Sequence, residues 1–130
     1  MLNVFRTSYG LRIHASGHLD ASDLEKFIPS LKEICDELKA DDEPFGVITD
    51  LSQVTTFDSI IDEGVVKAQM LLENSGEKRA GIIYFSTAQL INFTDIMLLE
   101  HRVARRYICS DIYEDYEDRA LNWIRDGIEP

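Results

Sequence analysis

Apolar and polar residues alternate along this chain first with a strand period and then with a helix period. Leu11, Ile13 and Ala15 interleave with Arg12, His14 and Ser16, the period of two expected of a half-buried strand. With Leu2–Ser8 before it and Tyr9-Gly10 between, the pattern predicts a hairpin. Gly17-His18-Leu19-Asp20 then turns the chain into a helix from about Ala21 to Lys39, with Asp20 or Ser22 as its cap. Leu24, Phe27, Ile28, Leu31, Ile34, Cys35 and Leu38 recur at helical spacing on one face. Pro29 interrupts that face, which predicts a kink, or a short first helix with Pro29 opening a second.

The stretch Phe45–Ser59 organises the rest. Phe45, Val47, Ile48 and Leu51 put bulk on both faces of a strand, as in the interior of a covered and largely parallel sheet. Asp50 and Ser52 mark its end, and Asp58 or Ser59 stands where a helix N-cap belongs. A helix over about Ser59–Glu73 follows, with Ile61, Val65, Ala68 and Leu72 toward the sheet and Gly64 allowing close approach. Ile60, Val66 and Met70 fall off that face and leave apolar surface over. Asn74-Ser75-Gly76 ends the helix, and Arg79–Phe85 reads as a second interior strand.

From about Thr87 to Arg106 the spacing predicts the longest helix. Its apolar arc of Leu90, Phe93, Ile96, Met97, Val103, Ala104 and Tyr107 is broader than one sheet face requires, which suggests either deep burial or a second interface. Tyr107–Ile112 is a candidate last strand. The closing helix, about Asp115–Asp126, buries Tyr116, Ala120 and Trp123 and stops at Gly127.

Composition narrows the function classes. A chain of 130 residues with 45% hydrophobic positions is long enough for one domain with its own core. The net charge of −11 disfavours nucleic acid and anionic membrane surfaces, both of which call for a basic face. Cys35 and Cys109 lack metal-ligand spacing and read as reduced core residues of a cytoplasmic protein, and no signal peptide or membrane span is expected. There is no phosphate-binding glycine loop, no nucleophile elbow and no metal cluster; His14, His18 and His101 are scattered. The expectation is therefore a protein without enzymatic activity, cofactor or metal. Arg102, Arg105 and Arg106 form the one dense basic cluster. It serves either the helix C-terminal dipole and nearby carboxylates or an anion and acidic-partner site.

The order of the turn residues carries a resemblance. Gly17-x-Leu19-Asp20, followed by Asp50-Leu51-Ser52-x-Val54-Thr55-x-x-Asp58-Ser59, resembles the STAS family, the domain shared by sulfate transporters and anti-sigma-factor antagonists. The fit is closer to its SpoIIAA-like branch, which is grouped structurally with a lipid-carrying type. Pro29 in the first helix, the late aromatic-rich strand and Ala120-Leu121-x-Trp123-Ile124 add to the likeness, which covers the chain from about Leu11 onward. It implies an α/β fold: a mixed sheet of about five strands with four main helices. The antagonists of this family bind a kinase partner and are released by phosphorylation of a serine at the second helix start. By that likeness Ile60 stands where the phosphoacceptor would be, so the usual switch is expected to be missing.

The reading that follows is a regulatory interaction module, dimeric or partner-bound through Asp58, Ser59, Val66, Met70 and Ile96. Its rival is a small apolar ligand or lipid-binding protein with a cavity between the second and third main helices, lined by residues such as Met70, Phe93 and Met97.

Overall fold

A computed structural model of the chain describes residues 1–89 and 103–130. Five strands form one sheet in the order β1-β2-β3-β4-β5. They are β1 (Leu2–Arg6), β2 (Gly10–Leu19), β3 (Phe45–Phe57), β4 (Glu77–Tyr84) and β5 (Ala104–Cys109). The first pair is an antiparallel hairpin and the other pairs are parallel, so the sheet is mixed. Helix α1 (Ala21–Asp41) joins β2 to β3 and α2 (Ile60–Ser75) joins β3 to β4. Residues 87–89 are helical (α3), and α4 (Tyr116–Asp126) follows β5.

The two-faced strands work as their composition dictates. Val47 of β3 packs with Leu31, Cys35, Ala68 and Leu72 under α1 and α2, while its neighbour Ile48 faces the other way. There Ile48 meets Ile83, Ile108 and the α4 residues Ala120, Trp123 and Ile124. The indole Nε1 of Trp123 donates to Ala80 O at 3.1 Å, which satisfies the polar atom of this buried ring. Gly46 of β3 lies directly beneath α4, and a Cβ there would overlap Ile124 Cγ2. Gly46→Ala is thus expected to cost about 1–3 kcal/mol by overpacking, read from urea unfolding midpoints; an unchanged midpoint would contradict the seating of α4.

Several elements differ from the sequence expectation. Pro29 does not break α1, which is one helix of 21 residues. Its side is exposed, and Asp20 closes the N-terminus by a capping box with Asp23. The strand expected to end near Leu51 continues to Phe57, because Val54, Thr55 and Thr56 suit a strand and keep pairing with β2 past a bulge. The helix expected to reach Arg106 does not: Ala104, Arg105 and Arg106 pair with Arg79, Ala80 and Gly81 as the first half of β5. Both cysteines are free and buried.

Candidate functional site

A register slip at the start of β4 decides what lines the α1/α2 side of the sheet. Phe45 pairs with Glu77 and Gly46 with Arg79, which leaves Lys78 between the pairs. Strict alternation would put Glu77 on the face of Arg79. The extra residue returns it to the face of Ala80 and Ile82. On that face, between the sheet and the two helices, lies a cavity of about 120 Å³. Leu24 and Phe27 of α1, Val65 and Ala68 of α2, and Ala80 and Ile82 of β4 give it apolar walls. Thr49, Gln69, Glu77 and Arg105 are its polar lining among the described residues.

Glu77 is the chemically distinctive wall residue. Its side chain accepts no hydrogen bond and joins no ion pair among the described residues. Burial pushes its carboxyl up to about 7; the positive charge of Arg105 offsets part of that, and the like charge of Glu73 adds to it. The Cys35 thiol, on the α1 side, is likewise raised by burial, with Glu77 among the charges that add to the effect. Sequence reading passes over Glu77, because Gly76-Glu77-Lys78-Arg79 reads as a polar approach to a strand.

Met70 is not part of this cavity's lining among the described residues. It is 59% exposed on the outer side of α2, two residues beyond the inward Ala68 and so well round the helix from it. Phe93, Met97 and Ile96 lie outside the described residues, as does Arg102. The surplus expected on α2 is present: Ile60, Val66 and Met70 are all exposed.

The β3–α2 turn is held by a histidine instead of by a helix cap. His18 Nδ1 lies 2.6 Å from Thr56 Oγ1 and His18 Nε2 lies 3.1 Å from Asp58 Oδ1. Ser59 occupies the N-cap position, but with helical dihedrals and without a side-chain cap bond. The side-chain capping expected of Asp58 or Ser59 is therefore absent: the Asp58 carboxylate is turned to His18, and the helical dihedrals of Ser59 are not those of a capping residue. The Thr56–His18–Asp58 order could move a proton, yet His18 and Asp58 are about half exposed on open surface.

The basic cluster is divided by the sheet. Consecutive strand residues point to opposite faces, so Arg105 lines the cavity while Arg106 lies over the Trp123 ring on the α4 side. The Arg106 fork is bidentate to Glu129, at 2.6 and 2.7 Å. Arg105 and Arg106 therefore do not form the single helical patch that their spacing suggested.

On the α4 face Asp50 is buried, accepting from Ser52 N at 3.0 Å, Ser52 Oγ at 2.6 Å and Arg12 Nη2 at 3.3 Å. Arg12 in turn grips Glu117 of α4 at 2.6 and 2.8 Å, tying that helix to β2 and β3. Ser52 donates its hydroxyl hydrogen bond to the Asp50 carboxylate, which Arg12 also holds, so this cluster braces β2 and β3 against α4.

No family model matches the chain, and no curated protein matches it. Among solved structures it is similar to a protein of Shewanella loihica described as a member of the DUF3478 family with a SpoIIAA-like fold. The identity is 20%, the TM-score 0.67, and the likeness covers 95% of this chain and 92% of the other. Among the described residues no helix is long and apolar enough to cross a membrane. The five-stranded mixed sheet with its flanking helices is thus the SpoIIAA-like fold that the turn motifs of this sequence resemble.

Proposed function

We propose that this chain is a non-catalytic binding module whose ligand is a small apolar molecule held between the sheet and α2. The cavity of about 120 Å³ carries this reading. Tightly packed interiors seldom leave such a space, and an engineered apolar cavity of about 150 Å³ binds benzene. Drug-sized ligands need roughly 300 Å³ or more, so the occupant is one ring or a short alkyl segment. Toluene is the corresponding probe. At a hundred times its dissociation constant it should stabilise the fold by about 2.7 kcal/mol and raise Tm accordingly. Ala68→Leu, which fills the cavity from α2, should stay folded by circular dichroism and lose the shift. An unshifted wild-type Tm would reject the reading.

A second reading, a protein-contact module, is favoured by the exposed Ile60, Val66 and Met70 on the outside of α2, next to the Asp58–Ser59 turn. It predicts a two-fold dimer through that helix. Light scattering should then give twice the monomer mass for the wild type and the monomer mass for folded Met70→Glu. A monomeric wild type would remove the dimer.

A further inference from the structure

Three groups at the C-terminal ends of β2 and β3 form a relay that ligand binding in the cavity does not use. Gly17 pairs with Val54 but His18 pairs with Thr56, so the ladder skips Thr55 and sets the imidazole opposite the Thr56 hydroxyl. His18 Nδ1 lies 2.6 Å from Thr56 Oγ1, and His18 Nε2 lies 3.1 Å from Asp58 Oδ1. Asp58 is pinned by its main chain, its N–H donating to Leu19 O at 2.9 Å. Its carboxylate can only accept, so Nε2 carries the ring proton. In the neutral imidazole Nδ1 then accepts from the hydroxyl. Other bonded hydroxyls donate elsewhere: Ser30, Ser75 and Ser110 to backbone carbonyls, Ser22 and Ser52 to carboxylates.

We infer that Thr56 is a nucleophilic modification site, which takes the acyl group of a small activated ester. Thr56 Oγ1 bonds to the acyl carbon as its proton passes to His18 Nδ1. The bond from that carbon to the leaving oxygen then breaks, and the leaving group takes the proton from Nδ1. The products are an ester on Thr56 and a free alcohol or phenol, with His18 restored. Asp58 is a positioning residue that holds the ring in the tautomer this transfer needs. Thr56 is exposed, so a small donor reaches the hydroxyl without any opening of the fold.

Reaction with p-nitrophenyl acetate at pH 8 tests this, the acetylated positions and their rates being read by peptide mass spectrometry. Thr55, equally exposed but passed over by the ladder, is the internal control. Thr56 should take the acetyl group roughly 100-fold faster than Thr55, and His18→Gln should remove that advantage. His18→Ala should recover it when imidazole is added to fill the space. Asp58→Ala should slow the reaction and Asp58→Glu should restore it. Equal rates at Thr55 and Thr56 in the wild type, or acetyl groups on amines alone, overturn the assignment without any variant. A Thr56 advantage that persists in His18→Gln, or an acetyl group that stays on His18, removes the relay.

Discussion

Ile48→Asp is expected to lower the unfolding free energy by about 4–5 kcal/mol, close to the whole stability of a marginal domain. Ile48 is fully buried at the middle of the central strand, enclosed by Ile83, Ile108, Trp123 and Ile124. An aspartate there would lose that packing and place a carboxylate among hydrocarbon, beside an Arg12 whose guanidinium is already engaged by Glu117 and Asp50. Urea unfolding followed by circular dichroism reads the loss directly. The chain should be largely unfolded at 37 °C, and a midpoint close to wild type would mean that β3 is not buried between two helical layers.

Glu77→Gln should act in the opposite direction, and only at high pH. In the folded protein the Glu77 carboxyl sits at about 7, against an ordinary 4.5 in the unfolded chain. Below 4.5 both states hold the proton and Glu77 costs nothing. Between 4.5 and about 7 the unfolded state ionises first, so stability falls as the pH rises, and above 7 the full penalty is in place. The gap corresponds to about 3 kcal/mol. Glutamine cannot ionise, so the variant should match the wild type near pH 4 and exceed it by about 3 kcal/mol at pH 8. Asp20, Asp115 and Glu129, whose carboxyls are lowered by their hydrogen bonds, bend both curves alike and cancel in the difference. A difference between the two proteins that does not change with pH would place the Glu77 carboxyl in water.

These two residues also show where the sequence speaks and where it does not. Ile48 is legible because adjacent bulky residues in one strand require cover on both faces, and the structure supplies α2 on one side and α4 on the other. Asp20, Gly76 and Gly127 are legible for a local reason: a capping carboxylate, or a left-handed backbone, is needed where a helix begins or ends. Glu77 is hidden because its orientation depends on a single unpaired residue in a neighbouring ladder, and a slip of one reverses every side chain beyond it. Arg105 and Arg106 misled for a related reason. Val103, Ala104 and Tyr107 satisfy a helical period, and pairing with Arg79, Ala80 and Gly81 overrides it. At the β3–α2 turn the residues were found and their bonding was not, because the partner of Asp58 is His18, 40 positions earlier in the chain.

Xenon tests the cavity most directly, since it binds apolar space without needing any particular head group. A crystal of the protein held under xenon pressure should show one strong site between α2 and the sheet, in contact with Ala68, Ala80 and Ile82. Ala68→Leu crystals should show none there. The space filled by protein side chains, or by ordered water bonded to Glu77 and Thr49 with xenon excluded, would contradict an apolar ligand site in this fold.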